Sequence, residues 1–349
     1  MLRLRLRHAA TALALALPLL AHAASAEEFT VTSWGGAYQD AQRKAFFEPY
    51  TKATGVKLNE DQWSGELAKV RGMVQSGSTS WDLVSTDPKT AELGCNDGLF
   101  ERLDYSRIGD TADFAKGAEL ECAFGTDVYA TILGYDPTKL KGEAPKSVAD
   151  IFDTKKFPGK RGLQKVPADN LELALVADGV PYDKVYDVLK TKEGQDRAFK
   201  KLDTIKKDVV WWTAGAQPPQ MLAAGEVVMT TAWNGRIADA NKNGQHFTMV
   251  WPNQVQGFDM WVIPTGSKKI DAVYDFLKYY YQPKNLARIT DYIAYAPTTN
   301  AALKMVSPDI LPDLPTAPQN MKGAIVQDPE FWGDYGTELE ARFNSWLAN

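Results

Sequence analysis

Histidine is almost missing from this chain: three residues in 349, at positions 8, 22 and 246. His8 and His22 fall in the N-terminal stretch described below. Any Ser-His-Asp or Cys-His triad would therefore have to use His246, which sits in a polar turn, Gly244-Gln-His-Phe247, where a solvated side chain is expected. A Gly-x-Ser-x-Gly elbow, a phosphate-cradling Gly-x-x-x-x-Gly-Lys and a His-Glu-x-x-His pair are absent too. Trp34-Gly-Gly is too short for a dinucleotide fingerprint. Carboxylates abound, so spacing alone leaves a glycosidase-like pair open, but nothing points to catalysis. The expectation is binding without turnover, with no cofactor.

Long apolar runs are also lacking, with one exception. Ala9 to Leu20 is apolar, too short for a comfortable membrane span, and preceded by Arg3, Arg5 and Arg7. Small residues follow, at Ala21-His-Ala23 and Ala24-Ser-Ala26. This is the pattern of a cleaved signal peptide, residues 1–26, rather than a retained anchor. No cysteine follows it to carry a lipid. Loss of the three arginines leaves 36 basic and 44 acidic residues, a net charge of −8. Such a balance argues against nucleic acid or anionic membrane as partner. Only Cys95 and Cys122 are present. In an exported chain they read as a disulfide, worth roughly 3–4 kcal/mol on a chain-entropy model. Two free thiols are the alternative, and with one histidine they make a poor metal site.

About 320 mature residues exceed what one core usually serves, so two lobes are expected. Phe29–Ser33, Val56–Leu58 and Trp81–Thr86 pattern as strands separated by helices at Tyr38–Thr54 and around Leu67–Val74. That alternation predicts a parallel α/β sheet. Pro49 lies inside the first helical run, where it would kink or end it. Asp87-Pro88 and Ser147 look like helix starts. Further strands are expected at Tyr129–Tyr135, from Leu163 in a new sheet, and at Val209–Trp212, Val227–Thr231, Thr248–Trp251 and Gly257–Ile263. A helix from Pro218 should stop at Gly225, and one more amphipathic helix should fill Asp328–Leu347.

The stretch Val227–Pro264 draws attention because it sets Arg236 and Asp259 beside aromatic residues at strand ends. Competing readings exist for each. Arg236 could be a solvated residue pairing with Asp239, Asp259 a helix cap or a hinge partner of Arg236, and Trp233 a core residue. Trp211 and Trp212, adjacent in a strand, cannot both face one cleft.

In order along the chain, Trp34-Gly-Gly with Tyr38, Trp81-Asp-Leu-Val-Ser-Thr86, Ile132-Leu-Gly-Tyr-Asp136, Pro145-Lys-Ser-Val-Ala-Asp-Ile-Phe152, Trp233-Asn-Gly235, Phe258-Asp259 with Val262-Ile-Pro264, and Tyr295-Ala-Pro-Thr298 resemble the periplasmic solute-binding proteins of ABC transporters, in their spermidine/putrescine-binding branch. The resemblance implies a monomeric periplasmic protein that delivers solute to an ABC permease. It implies two α/β lobes with mixed sheets joined by a hinge, at 27–131 plus 261–305 and at 132–260 plus 306–349, closing on a ligand between them. Asp259, Trp233 and Tyr295 match positions of that family's ligand site, and the candidate site read here is Trp34, Tyr38, Asp87, Asp169, Trp211, Trp233, Arg236, Asp259 and Tyr295.

The departures are informative. Polyamine binders grip both ammonium ends with carboxylates. Here Arg236 stands where they have a small uncharged residue, and Val166–Asn170 keeps at most Asp169 of the other acidic pair. A guanidinium about 4 Å from an ammonium, at an effective dielectric of about 20, repels it by roughly 4 kcal/mol. The expected ligand is therefore a small zwitterion with its carboxylate on Arg236 and its ammonium on Asp259. 4-Aminobutyrate (GABA), bound by some relatives of this branch, fits. A polyamine is the runner-up and a periplasmic hydrolase the other class.

Overall fold

A computed structural model describes residues 28–349; the expected signal peptide lies outside the described residues. Among them, no helix is long and apolar enough to cross a membrane.

Strand β1 (Phe29–Ser33) pairs in parallel with β2 (Leu58–Gln62) on one side and β3 (Leu83–Thr86) on the other. A two-residue β4 (Glu119–Leu120) turns back onto the long β5 (Ala123–Tyr135). Beyond it, β6 (Arg161–Gln164) lies between β7 (Val209–Trp212) and β8 (Met229–Trp233), parallel to both. The longest strand, β9 (Thr248–Val262), runs antiparallel to β5 and also borders β3. Short β10 (Ala296–Pro297) and β11 (Ile325–Val326) pair with β5 and β9. The order is β2-β1-β3-β9-β5-β8-β6-β7.

Two expectations change here. Leu163 does not open a separate sheet, because β5 and β9 pass from one half of the molecule to the other and join all strands in one ladder. Thr248–Trp251 and Gly257–Ile263 are not two strands but parts of β9. The register slips between Thr131 and Leu133, and Asn253 has φ +65°. That bulge lets Pro252, which has no N–H to donate, sit within the strand.

Each half has a core on both sheet faces, as period-two alternation dictates. Trp261 and Ile263 pack with Val31, Phe46 and Phe276, while Met260 and Val262 pack with Trp81, Val84 and Phe100 on the opposite face. In the other half, Leu133 packs with Leu163 and Trp332, and Ile132 with Trp212 and Ile237. These are the two α/β lobes, connected through β5 and β9.

Pro49 neither ends nor breaks its helix. The run from Gly36 to Thr54 continues through a wider π-type turn at Arg43–Phe47, then stops at Gly55. Opening the turn just before Pro49 relieves the ring's clash with the preceding carbonyl. Asp87 caps the helix Pro88–Asn96, its carboxylate accepting from the Thr90 amide at 2.8 Å. Ser147 and Asp150 form a reciprocal cap on a short 3-10 turn, Val148–Phe152. The helix Gln217–Ala224 ends at Gly225 with φ +74°. The last helix, Pro329–Ala348, buries Phe331, Trp332, Leu339 and Phe343 and lies against the helix Pro88–Asn96. Cys95 and Cys122 are disulfide-bonded.

Candidate functional site

The chain leaves β1 through Trp34 into Gly35 and Gly36, both left-handed, at φ +65° and +56°. Glycine is needed for space as well as dihedral. A Cβ on Gly35 would come within 2.6 Å of Gln62 Oε1, and one on Gly36 within 3.2 Å of Arg236 Nη1. The bare backbone lets the Gly35 carbonyl reach across to the other lobe, where Arg236 Nη1 and Nη2 both donate to it at 3.2 Å.

Between these segments lies a cavity of about 130 Å³. At roughly 10–15 Å³ per water-sized occupant, it has room for a small organic solute, not a peptide. Its wall includes Trp34, Tyr38, Asp87, Asp169, Trp233, Arg236, Asp259 and Tyr295, eight of the nine residues expected there. The ninth, Trp211, is misplaced by the sequence reading. It is half-buried against Phe343 and Trp346 of the last helix, with ring centroids 5.5 and 6.0 Å away. Strand parity is the reason: Trp212, its neighbour on β7, takes the other face and meets Trp233 edge-on at 5.6 Å.

The aromatics form one connected wall. Trp34 stacks on Trp63 at 5.7 Å and meets Trp233 at 6.3 Å, and Tyr38 meets Tyr295 at 5.5 Å. Arg236 is 4% exposed and lies 5.8 Å from the Trp233 ring. It is neither solvated nor paired with Asp239: among the described residues it makes no ion pair, and its Nε is buried with no acceptor. Among the described residues its charge meets the Gly35 carbonyl and the neighbouring Tyr295 hydroxyl but no carboxylate within ion-pair distance, so the buried guanidinium is poorly compensated.

Asp259, 5% exposed, accepts from the Trp34 indole N–H at 2.7 Å. Burial, then the neighbouring Asp127, pushes its carboxyl well above the ordinary range; Trp34 and Arg236 partly offset this. Asp127 stands opposite Asp259 in the ladder and accepts from the Tyr38 hydroxyl at 2.7 Å. It too is raised, by burial.

At the far end, Asp169 is held in a left-handed conformation rare for aspartate, φ +66°, and both its carboxylate oxygens are committed. They accept from Thr131 Oγ1 at 2.6 Å and Gln327 Nε2 at 2.7 Å. Asp87 likewise spends both oxygens on Thr90. Beside them Lys89 Nζ donates to Glu340 Oε1 at 2.5 Å. Burial opposes the Lys89 charge, but Asp87 and Glu340 outweigh it and raise the ammonium above its usual value.

Sequence reasoning missed Asp127, Tyr129, Lys89, Gln327 and Glu340. Asp127 and Tyr129 sit in an otherwise apolar strand, and a charge in such a run was the available signal. Lys89, Gln327 and Glu340 carried none, since only packing of the last helix brings them to the cavity. The described residues include no group of three or more His, Cys, Asp or Glu able to hold a metal ion.

Two lobes closing on a small, polar-ended cavity define a solute-binding protein. The chain matches the family model for bacterial extracellular solute-binding proteins over residues 45–319 and belongs to that family. Proteins of this kind bind small ligands and work with ABC permeases. The chain is 44% identical over 325 residues to the gamma-aminobutyric acid-binding protein of Pseudomonas aeruginosa, covering 93% of this chain and 92% of that one. Among solved structures, MotA of A. tumefaciens B6 in complex with glucopine superposes with a TM-score of 0.87 at 31% identity, over 92% of this chain and 99% of the other. The Atu4243-GABA receptor superposes with a TM-score of 0.81 at 33% identity, over 92% and 98%. Putrescine- and spermidine-binding relatives match at 21–24% identity.

Proposed function

We propose that the protein is a periplasmic receptor, exported by a cleaved signal peptide at residues 1–26, that captures GABA or a close ω-amino acid and hands it to an ABC permease without chemistry on the solute. It acts as a monomer whose lobes, 27–131 plus 261–305 and 132–260 plus 306–349, close on the ligand. The observation that carries the reading is Arg236, buried and, among the described residues, without a carboxylate partner. A ligand carboxylate would pair with the planar guanidinium, which can take it through two parallel bonds. The ammonium lies toward Asp259, where Trp34 and Trp233 cover the methylene chain and add cation–π attraction. The 44% identical relative named for gamma-aminobutyric acid supports the same ligand.

A diamine such as putrescine would bring a second cation to Arg236. Titration calorimetry with GABA and putrescine in parallel is the test. GABA binding in the micromolar range, about −8 kcal/mol, with putrescine at least tenfold weaker, is expected. Tight putrescine binding without GABA heat overturns the reading.

A further inference from the structure

Asp127 and Asp259 are directly opposite on antiparallel strands β5 and β9. Residues so placed project to the same face, their Cβ atoms about 4.5–5.5 Å apart. The ladder slips between Gly125 and Asp127, so Thr126 is an extra residue, and the bulge aims Asp127 at its partner. Asp127 is fully buried. Its Oδ2 accepts from Tyr38 at 2.7 Å and Thr126 at 3.2 Å, while its Oδ1 has no hydrogen-bond donor among the described residues. Asp259 Oδ1 is taken by Trp34. One oxygen on each carboxyl group is thus free of these donors, and the direct cross-strand pairing sets the two groups side by side. Two ionised carboxylates side by side in a buried site repel one another strongly. One proton between them converts the repulsion into a charge-assisted hydrogen bond.

We propose that Asp127, though behind the cavity wall, determines specificity: by sharing one proton with Asp259 it holds the pair at a single negative charge, which with Arg236 balances a zwitterion and disfavours a dication. This rests on the zwitterion reading above. The other ionisable groups facing the pair are Tyr38, Tyr129, Tyr280, Tyr281 and Tyr295, with Arg236 and Asp87 acting on Asp259. All five phenols are raised, by burial first, so none ionises near neutrality. As pH rises the shared proton is lost, the pair gains a second charge, and a dication becomes better matched.

The test has two parts. Infrared difference spectra between the ligand-free wild type and Asp127→Asn should show a protonated-carboxyl band, belonging to the pair, that fades as pH rises; the contribution of Glu172, whose carboxyl is also raised, is common to both proteins and cancels. Competition of putrescine against GABA should then show the preference for GABA falling at least tenfold between about pH 6 and about pH 8.5 in the wild type and staying flat in the variant. Absence of the band, a wild-type preference that does not move, or the same drift in Asp127→Asn overturns the proposal. Should the variant not fold, the band and the preference must still fade together in the wild type, and failure to do so is equally decisive. If GABA does not bind at all, the functional reading fails while the band still reports the shared proton.

Discussion

Arg236 reaches from the first turn of the helix Asn234–Lys242, which follows β8, across the cavity and donates through both terminal nitrogens to the Gly35 carbonyl, 3.2 Å away. One contact thus joins the two lobes beside the cavity. Replacing Arg236 with alanine should weaken GABA binding at least a hundredfold, since a charge-assisted bidentate pair is worth roughly 3 kcal/mol or more. Its melting temperature should hold or rise, because an undercompensated buried charge is removed. Calorimetry and thermal melts check both; unchanged affinity would take the carboxylate away from Arg236.

Trp34 holds Asp259 through its indole N–H. Trp34→Phe keeps the ring and deletes the donor. GABA affinity should fall about tenfold, the value of one hydrogen bond to a charged group, with folding unaffected in circular dichroism. An effect confined to stability would mean the indole only packs.

Lys89 and Glu340 link the helix Pro88–Asn96 to the last helix at the cavity's far end. Their side chains are 12% and 41% exposed, so the pair is partly screened. Lys89→Met should favour the open form and weaken binding by about three- to tenfold, corresponding to about 1 kcal/mol. Small-angle scattering of the ligand-free variant should give a larger radius of gyration. An identical radius and affinity would make the pair irrelevant to closure.

Glu172, fully buried, accepts from Trp332 at 3.0 Å and Tyr186 at 2.9 Å. Burial, reinforced by Asp169, pushes its carboxyl up to about 8. A raised folded-state value means its stabilising effect is full below the unfolded value of about 4.3 and is lost as pH rises through about 8. Glu172→Gln should therefore flatten the decline in unfolding free energy across that window, as read from urea titrations at several pH values. A parallel decline in the variant would place the titration elsewhere.

The Cys95–Cys122 bond closes a loop with a sequence separation of 27. Reduction should cost roughly 3–4 kcal/mol of stability, measured by denaturant titration with and without a thiol reductant, while GABA binding survives below the melting point. Loss of binding before unfolding would assign the disulfide a role in shaping the cavity.

Local chemistry set much of this protein. Asp87-Pro88, Ser147 with Asp150, and Gly225 fix helix ends because caps act over three or four residues. The strands Phe29–Ser33 and Val209–Trp212 followed from short-range patterning. Arg236 and Asp259 stood out as charges at the ends of apolar runs. Trp211 packs on the last helix and Trp212, on the other strand face, packs behind Trp233, so neither lines the cavity, which parity alone could not tell.

What the sequence alone determined was a chain with almost no histidine, two lobes' worth of apolar residues, and one cation placed where a diamine binder would have none. Only the tertiary structure decided that Asp127 meets Asp259, that Glu340 reaches Lys89, and that Arg236 goes without a carboxylate. These depend on strand register and helix docking across more than a hundred residues, and buried charges take their meaning from the neighbours packing brings, not from their neighbours in sequence.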